Sequence, residues 1–172
     1  MRKIVITGPE CSGKSALSQA LAEYYGMPWV PEYARWYLEH LPRGYEARDL
    51  ISIALGQEGA VFNCTAQFPE ASGIFIDTWL VVLQIWYRYR FGAPPAFFEA
   101  MRGRHAIDHY LLCRPDLPWT EDPLRENPND RDELFEVYRA FLTDMGASYT
   151  IISGRGDARQ EDAIRALSFL TP

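Results

Sequence analysis

The chain has 172 residues, 48 % of them apolar and 23 % charged, with a formal net charge of −6, which suits one globular domain with one buried core and is too short for two. An acidic chain lacks the basic face that neutralises nucleic-acid phosphates, so non-specific nucleic-acid binding is not expected. No secretory leader is expected at the start, no apolar run approaches the roughly 20 residues of a membrane helix, and the odd, scattered Cys11, Cys64 and Cys113 form neither a zinc pattern nor a disulfide framework, so a reduced cytoplasmic setting without a membrane partner is expected.

Short apolar runs alternate with helix-length periodic segments, the pattern of a parallel α/β sheet. Residues 3–7 read as a buried strand, and residues 14–25 as a helix with Leu17, Ala20, Leu21 and Tyr24 on one face and Gly26 placed to end it. Between them stands Gly8-Pro9-Glu10-Cys11-Ser12-Gly13-Lys14-Ser15, which fits G-x-x-x-x-G-K-[ST] at every fixed position, in the strand-then-helix context that the motif requires. Glycines let the backbone turn its N–H groups toward phosphate oxygens, and the helix start adds partial positive charge. Lys14 then reaches the β- and γ-phosphates of ATP, and the Ser15 hydroxyl ligates a magnesium ion that keeps several of its waters. Gly8, Glu10, Cys11, Ser12, Gly13, Lys14, Ser15 and Ala16 are therefore the expected nucleotide-binding residues, with Cys11 read as a small side chain tolerated at a variable position.

Residues 29–31 read as a second strand, and residues 32–41 and 47–62 as helices. Glu32 and Arg35 share a helix face just beyond that strand. Glu32 suits proton acceptance from, or hydrogen bonding to, a substrate hydroxyl. Arg35 suits a phosphate or Glu32 itself; the alternative is a surface ion pair. Residues 73–77 form a third strand ending in Asp77, where ligands of open α/β sheets bind. A carboxylate there either holds a magnesium-bound water or caps the next helix, residues 79–91. Trp36, Tyr37, Trp86, Tyr87 and Tyr89 are candidates for a pocket wall or for the core.

After Pro94-Pro95, residues 109–113 read as a fourth strand. Its end, Cys113-Arg114-Pro115-Asp116, lacks the N-K-x-D of guanine-binding proteins. The Pro-rich segment 114–131 suits a lid whose Arg125 and Arg131 close on a moving phosphoryl group; the alternative is a solvated loop whose arginines pair with nearby acids. Residues 130–145 read as a helix stopped by Gly146, 149–152 as a fifth strand and 160–170 as a closing helix. Arg159, in the turn after the last strand, is placed to stack on adenine, or belongs to an ordinary strand-to-helix turn. His40, His105 and His109 have no ligand spacing.

Taken together, GPECSGKS (8–15), WVPEYAR (29–35), GQE (56–58), FIDTW (75–79), YLLCRPDLPWTEDPLR (110–125) and GRGDAR (154–159) resemble the ribosylnicotinamide kinase domain of NadR and its stand-alone relatives, over nearly the whole chain. The P-loop alone is generic, whereas the E-Y-A-R and P-D-x-P-W…R blocks in this order are far more specific. The resemblance implies a P-loop, nucleotide-kinase-like three-layer α/β/α fold with five parallel strands in the order 2-3-1-4-5. It implies ATP- and Mg2+-dependent phosphorylation of a small-molecule substrate, nicotinamide riboside, to the mononucleotide. Nucleoside kinases, nucleoside-monophosphate kinases and switch ATPases are the alternatives on related folds. By position it implies Lys14, Glu32, Asp77, Arg125 and Arg131 as catalytic, Ser15 and Asp77 as metal ligands, and Glu32, Arg35 and Gln57 on the substrate side. Where the family often has a second acid two residues after the one at Asp77, this chain has Trp79. The DNA-binding and nucleotidyl-transferring domains of full-length NadR are absent from this sequence, so their activities are not expected of it.

Overall fold

Five apolar runs of the sequence become the strands of one parallel sheet in a computed structural model that describes residues 1–170. In chain order the elements are β1 (Arg2–Thr7), α1 (Lys14–Tyr25), β2 (Trp29–Val30), α2 (Tyr33–Glu39), α3 (Ala47–Gln67), β3 (Gly73–Asp77), α4 (Leu80–Phe91), α5 (Phe97–Gly103), β4 (His109–Cys113), α6 (Arg131–Asp144), β5 (Tyr149–Ile152) and α7 (Asp157–Ala166). The sheet order is β2-β3-β1-β4-β5, as the resemblance implies. A strand turns successive side chains to opposite faces. Ile4 and Ile6 of β1 thus join Leu17 and Leu21 of α1 and Ala163 of α7, while Val5 joins Leu50 and Ile53 of α3, Leu80 of α4 and Phe135 of α6. Covered on both faces, β1, β3 and β4 are continuous apolar runs rather than alternating ones.

The register sets Ile6 beside Asp77 and Thr7 beside Leu112. The carboxyl ends of β1, β3 and β4 therefore finish level with one another, and the glycine-rich loop rises from the middle of that edge. Among the described residues, no helix is long and apolar enough to cross a membrane.

Several boundaries differ from those expected. α3 continues to Gln67, past the residue-62 limit, although Asn63, Cys64 and Thr65 are poor helix formers. Its N-terminus is fixed by a capping box between Glu46 and Asp49. α5 was not expected after the double proline; two buried side chains, Phe98 and Met101, anchor it. α7 begins at Asp157 and ends at Ala166 rather than spanning 160–170. The start of α4 falls at Leu80, with Trp79 in the cap position.

Candidate functional site

The loop between β1 and α1 is held in a shape that only particular residues allow. Gly8 sits at φ 136°, and a Cβ there would lie 2.6 Å from the Cys113 carbonyl oxygen. Gly13 sits at φ 74°, and a Cβ there would lie 2.8 Å from Leu117 Cδ1. Cys11 is left-handed without being glycine, at φ 54°. The Ser12 hydroxyl and the Lys14 ammonium each donate to the Pro9 carbonyl at 2.7 Å, which curls the loop. α1 has no side-chain N-cap and no acid in its first turn, so its first N–H groups are open to an anion.

Beneath this loop lies Arg159, 4 % exposed. Its guanidinium donates to the carbonyls of Gly154 (2.8 Å), Ser12 (2.9 Å) and Arg114 (3.1 Å) and to the Asp116 carboxylate. Of the two readings of Arg159, base stacking or a strand-to-helix turn, the structure shows its in-plane donors engaged, so that it braces the P-loop from below.

Asp77, 1 % exposed, ends β3 next to the loop. Burial pushes its carboxyl pKa up, while a hydrogen bond from Ser15 and the charge of Lys14 pull it back. It is not the cap of α4, since that position is Trp79. The following Thr78 takes φ 70°, a strained setting for a β-branched residue that costs about 1–3 kcal/mol. Its backbone N–H is fixed on the Ile6 carbonyl at 3.0 Å. Trp79 is buried with its indole N–H unpartnered.

Glu32 occupies the cap position of α2 but does not cap it. Gln57 of α3 does so instead: its side-chain oxygen accepts from Tyr33 N at 2.7 Å, and its amide donates to the Pro31 carbonyl at 3.3 Å. The expectation that Gln57 faces substrate is therefore corrected; 2 % exposed, it clamps the turn that presents Glu32. Its neighbours in the motif are also structural. Gly56 leaves room for the Tyr33 ring, and Glu58 pairs with His105 at 2.6 Å. Freed from capping, the Glu32 carboxyl has its pKa raised, first by burial and also by Asp77 and Glu10, against the pull of Lys14 and Arg35.

The loop and Glu32 meet in a cavity of about 350 Å³, whose walls do not include Asp77, Gln57 or Arg159. Its walls include Gly8, Glu10 through Ala16, Glu32, Arg35 and Arg125, all expected from the sequence. They also include Leu38, Val82, Ile85, Trp86, Tyr89, Leu134 and Tyr138, which reasoning from residue types missed or left undecided. The signal was available for α4, where 82, 85, 86 and 89 repeat at helical spacing on one stripe. Of the aromatic candidates, Trp86 and Tyr89 line the cavity. Trp36 is 54 % exposed; Tyr37 donates to Asp49 at 2.8 Å, and Tyr87 packs on Phe91 and Phe98.

The segment between β4 and α6 roofs the cavity. Glu10 accepts from the backbone N–H groups of Glu126 (3.1 Å) and Asn127 (2.9 Å). Cys11 Sγ accepts from Thr120 N at 3.2 Å, so this thiol docks the segment and is more than a tolerated small residue. Arg35 pairs with Asp122 at 2.9 Å and with Glu39 at 3.5 Å. Trp119 lies under two guanidinium groups, Arg125 at 6.0 Å and Arg131 at 5.7 Å. Arg131 donates to the Leu117 carbonyl at 2.9 Å and does not line the cavity. Of the two expected lid arginines, Arg125 alone lines the cavity.

Residues 3–160 match the family described as AAA domain. The chain is 30 % identical over 149 residues to the trifunctional NAD biosynthesis/regulator protein NadR of Salmonella typhimurium, covering 84 % of this chain and 35 % of that protein. It is 30 % identical over 129 residues to the Escherichia coli protein of that description, covering 73 % of this chain and 31 % of the relative. The chain thus spans about a third of the length of these curated relatives. A crystal structure of NadR in complex with NR superposes with a TM-score of 0.86 at 22 % identity, covering 99 % of this chain and 51 % of that one. NadR in complex with NAD and AMP-PNP gives 0.81 at 20 % identity, covering 99 % and 49 %. Thymidylate kinase from Ehrlichia chaffeensis gives 0.72 at 13 % identity, covering 96 % and 98 %. These superpositions show a P-loop kinase fold. With its phosphate loop, strand order and 3–160 match in agreement, the chain belongs to the AAA-domain family, and within that family it is similar to NadR.

Proposed function

We propose that this protein is an ATP-dependent kinase that phosphorylates a hydroxyl of nicotinamide riboside, yielding the mononucleotide. One observation carries the reading: a single cavity joins a phosphate-binding loop to a second half walled by carboxylates and aromatic rings. Both curated relatives are described as NAD biosynthesis proteins, and NadR has been crystallised with nicotinamide riboside.

The donor set fits magnesium. The Ser15 hydroxyl and the Asp77 carboxylate, whose pKa Ser15 lowers, would be its two hard oxygen ligands. Among the described residues, no group of three His, Cys, Asp or Glu side chains could hold an ion alone. That suits an ion which takes its other ligands from water and phosphates. When bound, it supplies charge neutralisation for the phosphates. Lys14 places a positive charge beside the same site, and Arg125 reaches in from segment 114–131, which we read as a lid. Glu32 lines the same cavity, and its raised pKa suits it to taking up the proton of an acceptor hydroxyl.

The charges favour a riboside over a nucleoside monophosphate. Glu10, Glu32 and Glu126 line the cavity, while Arg35 is engaged by Asp122 and Glu39 and Arg125 by Asp122 and the Thr120 carbonyl. A phosphorylated acceptor needs a cation beyond those that serve the transferred phosphoryl group. A cationic pyridinium ring is instead attracted by carboxylates and by the faces of Trp86 and Tyr89. A reduced cytoplasmic setting accords with three free thiols. A screen of ribosides, nucleosides and monophosphates with labelled ATP tests the reading. Label is expected in nicotinamide mononucleotide; label only in a nucleoside diphosphate, or hydrolysis without any acceptor, overturns it.

A further inference from the structure

Tyr45 lies in the turn between α2 and α3, in none of the motifs above and outside the cavity walls. It nevertheless connects the two halves of the site. The Trp86 indole N–H donates to the Tyr45 hydroxyl at 3.0 Å, and that hydroxyl donates to Glu126 Oε2 at 2.8 Å. The direction is fixed by chemistry: an indole N–H only donates, so the phenol oxygen must accept, and its single proton goes to the carboxylate. The Tyr45 ring also meets Trp86 edge-on, with centroids 5.0 Å apart, and Phe91 at 6.0 Å. At the far end, the Glu126 backbone N–H donates to Glu10 of the P-loop at 3.1 Å. A relay therefore runs from the aromatic wall through Tyr45 to Glu126, and through that residue's own backbone to the phosphate loop.

Trp86 and Glu126 both face the cavity. The Trp86 wall is thus tied, through Tyr45, to the residue whose backbone N–H latches the roof onto Glu10. We propose that Tyr45 is a positioning residue that couples occupation of the Trp86 wall to closure of the 122–127 roof over the P-loop, and so sets selectivity for acceptors bearing a planar ring. The inference rests on the kinase reading above. It assigns Tyr45 no contact with ATP and none with the reacting atoms.

Tyr45→Phe removes one oxygen and keeps the ring packing. Its KM for nicotinamide riboside should rise about tenfold, the worth of a hydrogen bond to a charged acceptor near the low end of its range. KM for ATP and the melting temperature should stay as in the unaltered protein, and acceptor-independent ATP hydrolysis should rise as the roof loosens. Glu126→Gln keeps an accepting oxygen and should rescue most of the loss seen in Glu126→Ala. In the double variant Tyr45→Phe/Glu126→Ala the two losses should not add. An unchanged acceptor KM in Tyr45→Phe, equal shifts for both substrates, or additive losses would each overturn the coupling while leaving the kinase reading intact. Failure of the unaltered protein to phosphorylate any acceptor overturns both.

Discussion

Glu32 stands where a helix commonly places a capping side chain, yet its oxygens are left free because Gln57 reaches across from another helix to do the capping. The resulting carboxylate is partly shielded from water beside Asp77 and Glu10, so it holds its proton to a higher pH than an ordinary Glu. A general base acts only when deprotonated. The acid limb of kcat/KM for the acceptor should therefore lie above the usual carboxylate range, with activity rising as pH rises through it. Glu32→Gln should lower kcat and flatten that limb; a limb that survives the substitution would assign it to Asp77, which is also raised. Lys14→Ala should lower turnover by about a hundredfold or more, in line with the loss of one preorganised donor at a charged transition state, with little change in melting temperature. Turnover near that of the unaltered protein would exclude the role. Residue type at a strand end or at a loop fixed by spacing placed Lys14, Ser15, Glu32, Arg35 and Arg125 at the site, and all five line the cavity. What spacing does not reveal is that a polar group already has partners in the fold, as Gln57, Arg131 and Arg159 do.

Elements matter here through how they hold the two sides of the site. α2 is short, and three devices place it: the Gln57 clamp, the Tyr33 ring seated on Gly56, and the Tyr37 hydroxyl on Asp49. Asp49 also receives Arg43 at 2.7 and 2.9 Å, which holds its carboxyl well below the usual range. Gly56→Ala makes a sharp test. In an open helix the change gains about 1 kcal/mol. Here the added methyl meets the Tyr33 ring, so the variant should unfold at lower temperature and show a raised acceptor KM with ATP binding little changed. A raised melting temperature would show that the glycine is not kept for this contact. Long periodic segments and buried strands were readable, since hydrophobic spacing fixes them. α5 escaped because its burial depends on Phe98 and Met101 filling a gap that only the assembled sheet and helices create.

At the scale of the molecule, the order β2-β3-β1-β4-β5 sets the P-loop strand between the strand that ends in Asp77 and the strand that leads into the roof. The alternation of strands and helices foretold a parallel sheet. The strand order came only with the family resemblance, since nothing local in a sequence states which strands become neighbours. A ligand bound to the native state alone stabilises it by mass action. Mg-ATP at about a hundredfold over its Kd should therefore raise the melting temperature by roughly 5–10 °C. Scanning calorimetry with and without magnesium checks this, and no shift with any purine triphosphate would exclude nucleotide binding. The buried guanidinium beneath the loop bears on how freely such a molecule can vary. Arg159 reaches carbonyls from three separate chain connections, after β1, β4 and β5, and one carboxylate besides. A flat, forked cation can serve acceptors spread around its rim; a lysine ammonium, with three protons radiating from one nitrogen, cannot span the same set. An exchange that preserves charge would thus leave oxygens stranded in the interior and let three crossings drift apart, so this position tolerates its closest chemical cousin poorly.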